Sequence, residues 1–240
     1  MQKISTKFYR LKTSKNYLKL IQAFHKIFKN VSKKEISLPS IYDNTIHRKH
    51  IINDIIRKKN YNSYLEIGCD QNELFTEVEI KKKIGVDPNN GGTHRMTSDH
   101  FFKNNDNKFD IIFIDGLHIY NQVRKDIINS IKCLKDNGVI LLHDCFPLTY
   151  FDQAIPRAQR KWNGDVWKAI VEARTQADID TYTGAFDNGI GLIIKRKNSN
   201  ILKISSKNFK NIKYEEYFEN YSNYLNLIDL EKFFKVIDEI

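Results

Sequence analysis

Hydrophobic spacing divides this chain into a helical beginning, a middle region of short strands and a helical end. Apolar residues recur every three or four positions over 17–28, and Ile51, Ile52, Ile55 and Ile56 continue the same period. From residue 63 the apolar residues come instead in short runs, which predict strands over 63–68, 83–88, 109–115 and 138–144. The last two runs are almost continuously apolar, as in parallel strands that are covered on both faces.

Helices and loops connect these strands in an order typical of an α/β fold. Apolar residues over 120–134 predict a helix that ends at Asn137-Gly138, so that strand, helix and strand form a right-handed crossover. Residues 145–165 predict a loop, because Pro and Gly interrupt them. Asp165 is the expected N-cap of a helix over 166–174.

These elements predict one α/β domain with helical additions at both ends. We expect an N-terminal helical extension over residues 1–60 and a Rossmann-like domain over 61–198, whose final strand lies at 189–196. Residues 199–240 form the predicted tail. Tyr and Phe recur there at helical spacing, so we expect the tail to pack on the body.

Composition and charge narrow the class of protein. The net charge is +10, but lysines occur along the whole chain beside many Asn and Ile, which favours a solvated surface over a nucleic-acid patch. No run reaches the roughly 20 apolar residues of a membrane span, and no apolar stretch follows the basic start as in a signal peptide. Cys69, Cys133 and Cys145 form no CxxC pair, so we expect a reduced, cytoplasmic protein.

Acidic residues follow four of the predicted strands. Glu66 and Asp70 flank the first turn, and Asp87, Asp115 and Asp144 end the next three strands. In an open α/β sheet, ligands bind beyond the carboxyl ends of the strands, so these acids indicate one binding edge.

The first two strand ends predict the class of cofactor. Asp87 can accept both ribose hydroxyls of an adenosine, which suits NAD and S-adenosylmethionine alike. The first turn has Gly68 as its one glycine, whereas a pyrophosphate requires G-x-G-x-x-G. Glu66 and Asp70 repel a pyrophosphate but suit the ammonium and sulfonium groups of S-adenosylmethionine. The pattern therefore favours S-adenosylmethionine, with an NAD-dependent oxidoreductase as the alternative.

The next two strand ends predict a site for a metal or for proton transfer. Adjacent strand ends lie about 5 Å apart, so Asp115, His143 and Asp144 can converge on one divalent ion. His118 then lies close enough to act as a general base on a metal-bound hydroxyl. The plainer interpretations are that Asp115 caps the next helix, that His118 faces solvent, and that backbone atoms satisfy His143.

Five ordered segments resemble the class I S-adenosylmethionine-dependent methyltransferases. They are residues 65–68 (Leu-Glu-Ile-Gly), 85–88 (Gly-Val-Asp-Pro), 95–102, 113–118 and 141–144. With Asn-Gly-Asp-Val-Trp-Lys at 163–168, the set is most similar to the branch that contains sugar O-methyltransferases of antibiotic and surface-glycan pathways. The resemblance covers about residues 62–196.

The resemblance implies a fold and a cofactor site. The fold is a seven-stranded, mostly parallel sheet with its last strand antiparallel and helices on both faces. Glu66 and Gly68 are implied to hold the methionine end of S-adenosylmethionine and Asp87 its ribose, while Ser98 and Asp99 flank the adenine.

The resemblance also implies a metal and a base. In metal-dependent members, acids at the positions of Asp115 and Asp144 bind magnesium, and the histidine at the position of His118 acts as base in some of them. The first turn departs from the family because it lacks the second and third glycines, and His143 stands where an acid is frequent. Mg²⁺, another divalent metal such as manganese or iron, and no metal at all therefore stay open.

The expected activity is O-methylation of a small-molecule, sugar or glycan-linked acceptor. We expect the loop 145–165 to close over the acceptor. Arg157, Arg160 and Lys161 are candidates to meet an anionic group there, although their pattern favours a solvated surface. Besides the oxidoreductase, a non-catalytic partner subunit and an RNA methyltransferase stay open. The intact acids argue against the former, and only the charge supports the latter. The aromatic tail leaves a homodimer open, and the fold does not fix the acceptor.

Overall fold

The computed structural model describes residues 14–205 and 208–240, and its centre is one seven-stranded sheet. The expected N-terminal extension starts in residues 1–13, which lie outside the described residues. In chain order the strands are β1 (Ser63–Ile67), β2 (Lys82–Val86), β3 (Phe109–Ile114), β4 (Leu134–Leu142), β5 (Asp180–Gly184), β6 (Ile190–Ile194) and β7 (Leu227–Ile228). Their order across the sheet is β2-β1-β3-β4-β6-β5-β7.

All of these strands except β6 run in the same direction. β1 pairs in parallel with β2 and β3, β3 pairs in parallel with β4, and β5 with β7, whereas β6 is antiparallel to both β4 and β5. The mostly parallel, Rossmann-like sheet is thus confirmed. The antiparallel strand is the one expected at 189–196, but it is the sixth in the chain, because the tail adds β7 after it.

Nine α-helices lie in the described part of the chain. They are α1 (Lys15–Phe28), α2 (Arg48–Lys59), α3 (Glu73–Glu77), α4 (Ser98–Lys103), α5 (Tyr120–Cys133), α6 (Tyr150–Gln153), α7 (Trp167–Ala173), α8 (Tyr214–Leu225) and α9 (Leu230–Asp238). A 3₁₀ turn over Phe209–Asn211 precedes α8. None of these described helices has the length and apolar character that crossing a bilayer requires.

Side chains of the central strands alternate between two apolar layers. Ile112 and Ile140 pack in the layer that contains α5, α7 and α8. Phe113 and Leu141, their neighbours in sequence, pack in the opposite layer with α2 and α9. Because both faces of β3 and β4 are covered, these strands read as continuous apolar runs in the sequence.

The helix before β4 ends earlier than the sequence predicts. α5 stops at Cys133 and β4 begins at Leu134, so the expected helix end at Asn137-Gly138 is wrong. The register between β3 and β4 is irregular up to the pair Ile111–Val139. A Cβ at Gly138 would lie 2.7 Å from the carbonyl oxygen of Asp110. Gly138 therefore serves a close approach of two strands.

Asp165 also acts differently from the prediction. The helix that follows begins at Trp167, and its N-cap position, Val166, makes no side-chain cap. The carboxylate of Asp165 instead accepts a hydrogen bond from the amide of Tyr120, at 2.6 Å, at the start of α5. Asp165 thus caps a helix distant in sequence and ties the loop before α7 to the start of α5.

The segment between α1 and α2 crosses the carboxyl edge of the sheet. The amide of Ile36 donates to the carbonyl of Leu148, and that of Asp43 donates to the carbonyl of Ala185, each at 2.9 Å. The hydroxyl of Tyr42 accepts from the amide of Asn188 at 3.0 Å. Residues before the sheet therefore form part of the wall beside the strand ends.

The C-terminal tail packs on the body through aromatic side chains. The ring of Tyr217 lies 4.4 Å from that of Trp167, and both residues are fully buried. Phe233 packs edge to face against Phe186 at 5.2 Å. The exact division of the chain at residues 60 and 198 stays a prediction.

Candidate active site

The turn after β1 brings three strand ends together. Gly68 has φ of +90°, and a Cβ there would overlap the carbonyl of Asp115, so glycine is required. The Gly68 amide donates to Val86 at 2.9 Å, and the Asp115 amide donates to Ile67 at 2.8 Å. The carboxyl ends of β1, β2 and β3 are therefore fixed relative to one another by the backbone.

Asp87 organises the turn beyond β2. One of its carboxylate oxygens accepts from the amide of Asp70 at 3.1 Å, and the other accepts from the amides of Asn89 at 2.7 Å and Asn90 at 2.9 Å. Asp87 is buried, whereas Asp70 is exposed and has φ of +41°. Carboxylate oxygens offer about four lone-pair sites, so the three amide bonds leave room for a ligand hydroxyl.

Glu66 is a buried acid at the end of β1. It is 1% exposed and accepts a hydrogen bond from the hydroxyl of Tyr64. Burial raises the pKa of Glu66 to about 7, against the opposing effect of the Tyr64 hydroxyl. A carboxyl group in this position gains from a nearby cation, which compensates the cost of its buried charge.

Ser98 and Asp99 lie at the start of α4, against α5. The amide group of Gln122 donates to Ser98 Oγ at 3.1 Å and to Asp99 Oδ1 at 2.9 Å, and Lys125 pairs with Asp99 at 3.0 Å. The hydrogen bonds from Gln122 and Lys125 lower the pKa of Asp99. Both side chains have partners on α5, and their expected position beside the adenine stays a prediction.

Two acids and two histidines converge at the ends of β3 and β4. His118 Nε2 lies 3.1 Å from Asp115 Oδ1, and its Nδ1 lies 3.3 Å from Asp144 Oδ2. His143 Nδ1 lies 3.4 Å from the same oxygen atom of each acid. The four residues predicted from the sequence to form the metal and base site are therefore in mutual contact.

The charges in this cluster stabilise one another. Burial favours the neutral imidazole, but Asp115 and Asp144 outweigh it, raising the pKa of His118 and holding that of His143 well above its usual value. Burial also opposes ionisation of Asp115, yet His143 and His118 hold its pKa well below the usual range. The cluster thus favours carboxylates facing imidazoles that bind protons readily.

Asp187 and Arg48 lie behind His143, and sequence reasoning missed both. His143 Nε2 lies 3.2 Å from Asp187 Oδ1 and 3.0 Å from Arg48 Nη1. A guanidinium only donates, so the protonation state of the imidazole decides which contact is a hydrogen bond. Burial would raise the pKa of Asp187, but His143, with Arg48 beside it, lowers it to about 2. Asp187 lies in the loop between β5 and β6, on the same edge as the predicted acids.

Asn163 and Trp162 come from the loop 145–165. The Asn163 amide donates to Asp144 Oδ1 at 3.2 Å, and the Trp162 ring stacks on His118 with centroids 5.5 Å apart. At Gly164, with φ of +66°, a Cβ would overlap the carbonyl of His118, so the loop lies tightly on this histidine. The segment Asn163-Gly164-Asp165 belongs to the motif at 163–168, but its contact with His118 follows from the fold.

The donor set fits a divalent cation. The ligand atoms of Asp115, His118 and Asp144 all lie within 4.8 Å of one another. His118 Nδ1 is buried and makes no directed hydrogen bond within the described residues, although Asp144 is near it. Two carboxylates with imidazole suit manganese, iron or zinc as well as magnesium. Because Asp187 lies behind His143, that imidazole is also oriented as metal-ligating histidines are.

Comparisons with known proteins give the domain type. Residues 57–145 match a family profile described as a methyltransferase domain. The profile match covers β1 to the end of β4, the region that carries all the predicted acids. No curated protein sequence matches the chain.

Solved structures give similarities of fold. The chain resembles the S-adenosylhomocysteine-bound methyltransferase PaMTH1 of Podospora anserina (16% identity, TM-score 0.49, 62% of this chain and 78% of that one). It also resembles an O-methyltransferase of Bacillus cereus in complex with S-adenosylhomocysteine (12% identity, TM-score 0.46, 81% of this chain and 100% of that one). A third similar structure is the O-methyltransferase TomG of Streptomyces achromogenes in complex with S-adenosylmethionine (10% identity, TM-score 0.46, 81% of this chain and 96% of that one). The profile match indicates a methyltransferase domain over residues 57–145, and the solved structures add a similarity of fold.

Proposed function

We propose that this chain transfers the methyl group of S-adenosylmethionine to a hydroxyl oxygen of a small-molecule acceptor, with a sugar or glycan-linked hydroxyl as the first class to test. The observation that carries the proposal is the contact of Asp115, His118, His143 and Asp144 beside the Gly68 turn. That contact puts groups able to move a proton or hold a metal next to acids that suit a cationic nucleoside.

The cofactor half of the site consists of Glu66, Gly68, Asp70 and Asp87. Glu66, buried and with a raised pKa, gains from the ammonium and sulfonium charges of the cofactor. Asp87 keeps one lone-pair site for a ribose hydroxyl while its three amide contacts hold the turn. Gly68 lets the turn pass close to the carbonyl of Asp115, which holds the proposed cofactor half against the end of β3.

The reaction is a direct displacement at the methyl carbon. S-adenosylmethionine would supply the electrophilic methyl group, and a divalent cation held by Asp115, His143 and Asp144 would lower the pKa of an acceptor hydroxyl. The acceptor oxygen forms the new bond to the methyl carbon while the carbon–sulfur bond breaks. The electron pair of the broken bond goes to sulfur. His118 takes the hydroxyl proton, and Asp115 stabilises the imidazolium that results. Orientation of the two reactants supplies most of the acceleration.

We assign the metal to Asp115, His143 and Asp144, which leaves His118 as base. Asp187 behind His143 supports this division, because a metal-ligating histidine commonly donates its other nitrogen to a carboxylate. His118 has an aromatic neighbour, Trp162, on one face, and the carboxylates beside its two ring nitrogens are those of the proposed metal ligands Asp115 and Asp144. The competing assignment makes His118 the ligand, and a histidine bound to a metal does not act as base.

Two histidine variants separate these assignments. We expect His143→Ala to weaken Mn²⁺ binding by calorimetry at least 10-fold, whereas His118→Ala keeps Mn²⁺ affinity and slows turnover 10²–10⁴-fold, by about the contribution of a general base. His100→Ala, at an exposed histidine, is the matched control. Loss of Mn²⁺ binding in His118→Ala, or turnover at the normal rate, contradicts the assignment of His118.

Calorimetry with S-adenosylmethionine, S-adenosylhomocysteine and NAD tests the cofactor, each with and without Mn²⁺ or Mg²⁺. We expect binding of the two sulfur nucleosides and none of NAD. Tight binding of NAD alone would support the oxidoreductase. Methyl transfer to a panel of free and nucleotide-linked sugars then tests the acceptor. The cytoplasmic location and the homodimer stay predictions.

A further inference from the structure

The net positive charge of this chain lies almost entirely before its first acidic residue. Residues 1–34 contain ten of the 39 Lys and Arg residues and none of the 29 Asp and Glu residues. The remaining 206 residues hold 29 of each sign. Lysines do occur throughout the chain, as expected, but Asp and Glu occur only from residue 35 onward. The excess charge is therefore concentrated on the N-terminal segment, of which α1 is the described helix.

One face of α1 is apolar and exposed. Leu20, Phe24, Ile27 and Phe28 follow one another at helical spacing and are 66%, 39%, 72% and 69% exposed. Only Leu18 and His25 of this helix are buried. A row of large apolar side chains that no described residue covers is unusual on a monomer surface and marks an interaction site.

Lysines line the opposite side of the same helix. Lys15, Lys19 and Lys26 are exposed, lie on one face of α1, and are separated from the apolar row. Lys29, Lys33 and Lys34 follow directly after the helix. A helix with an apolar face, a basic face and no acid has the character of helices that lie in the interface of an anionic bilayer.

The helix is held to the body on the side away from the apolar row. His25 is 1% exposed, its Nε2 donates to the carbonyl of Pro156 at 2.9 Å, and its Nδ1 accepts from the Tyr150 hydroxyl at 3.2 Å. Tyr150 and Pro156 belong to the loop 145–165, whose later residues cover His118. Binding through α1 would therefore bring the acceptor side of the molecule to the same surface.

We propose that α1 and the basic residues around it dock this protein on an anionic membrane surface, as a helix lying in the interface. A second copy of the chain fits this face poorly, because two N-terminal segments with ten positive charges each would repel. A nucleic acid would use the lysines but leaves Leu20 and Ile27 without a partner. An anionic bilayer satisfies both the charge and the apolar row.

Sedimentation with vesicles tests the proposal on the full chain. We expect the protein to bind vesicles of phosphatidylcholine with phosphatidylglycerol and not those of phosphatidylcholine alone, with binding weakened by salt. The double variant Ile27→Ser with Phe28→Ser should lower partitioning roughly ten-fold or more, because it removes two of the most exposed apolar side chains. Lys19→Glu with Lys26→Glu should lower it similarly.

Matched controls keep charge and surface effects apart. Ile201→Ser replaces another exposed apolar residue, and Lys81→Glu with Lys103→Glu reverses two exposed lysines elsewhere; both should bind vesicles like the parent. Absence of binding to the anionic vesicles overturns the proposal, and so does equal loss in the controls. Ultracentrifugation without vesicles tests whether a second copy of the chain covers this face instead. If the parent is a dimer and Ile27→Ser with Phe28→Ser makes it a monomer, the face is an interface between copies and the membrane proposal is overturned.

Discussion

The two halves of the carboxyl edge use different means to hold their acids. At the ends of β1 and β2, Asp87 is satisfied by backbone amides and Glu66 by a neighbouring hydroxyl. At the ends of β3 and β4, Asp115 and Asp144 contact imidazoles. The hydrogen bonds given above for the carboxyl groups of Glu66 and Asp87 come from residues 64–90, whereas the contacts of the second half come from residues between 48 and 187.

This difference indicates how each half responds to change. The first half is a property of local turns, so a substitution there should alter ligand affinity and local stability. The second half is a network of charges in a buried place, where loss of one partner leaves others uncompensated. We therefore expect larger effects on chemistry from the second half and larger effects on cofactor affinity from the first.

Asp115→Asn should give the largest effect on activity. The amide keeps the shape of the side chain but removes the charge that both histidines face, and with it the proposed metal ligand. We expect kcat/KM for methyl transfer to fall roughly 10³-fold, since a metal or charge at this position is worth several kcal/mol. Asp136→Asn, at a fully exposed acid, is the control and should leave the rate unchanged. A loss under a few-fold would separate Asp115 from the chemistry.

Asp87→Ala should act on the cofactor and spare the second half. The variant loses a charged acceptor for the ribose as well as three amide contacts within the turn. We expect the Kd for S-adenosylhomocysteine to rise roughly 30-fold, as for loss of a charge-assisted hydrogen bond of about 2 kcal/mol. Mn²⁺ affinity, measured on the same sample, should stay within a few-fold. If both affinities fall together, the two halves are not independent.

The sequence predicts the first half better than the second for a physical reason. The strands, the turn at Gly68 and the acids at strand ends follow from local period and from the rule that ligands bind at the carboxyl edge. Asp187 and Arg48 carry no local signal. They reach His143 only because β5 lies beside β6 and α2 starts at the same edge, which is information about packing.

Helix ends show the same limit. Asp165 and Gly138 have the residue types of a helix N-cap and a helix end, and the sequence predicts them as such. Asp165 instead caps α5 across 45 residues, and Gly138 allows β4 to approach β3. Both residue types indicate a special backbone position, but the partner of each is set by the tertiary fold.

Glu66 should make cofactor affinity depend on pH. Its pKa of about 7 lies above the usual range, and a cationic ligand favours the ionised form, so affinity should increase as pH rises through 7. Between roughly pH 6 and pH 8 we expect the Kd for S-adenosylmethionine to fall about ten-fold. Glu66→Gln should bind weakly and lose this dependence, while Glu79→Gln, at an exposed acid, keeps it. Titration of the ligand itself is common to all three proteins, so equal slopes would exclude Glu66 as the cause.

Substitution of Asp187 should have the smallest effect, and this effect should be on how the free energy of unfolding changes at acid pH. Its pKa is lowered to about 2, chiefly because His143 hydrogen-bonds it against the effect of burial, with Arg48 adding to the effect. A carboxyl group with a lowered pKa stabilises the fold above its ordinary pKa near 4, and this contribution is lost as pH falls from about 4 to about 2. Asp187→Asn should therefore cost about 1 kcal/mol at neutral pH, less than a full charge pair because the amide still accepts a hydrogen bond. Its free energy of unfolding should then decline less steeply than that of the parent over this range, as measured by urea unfolding at several pH values.

Asp238→Asn is the control. It removes a carboxylate that pairs with Lys58 at the surface, and its stability should follow that of the parent. Parallel curves for parent and Asp187→Asn would mean that the charge behind His143 does not stabilise the fold, and that the second half is held by its hydrogen bonds alone.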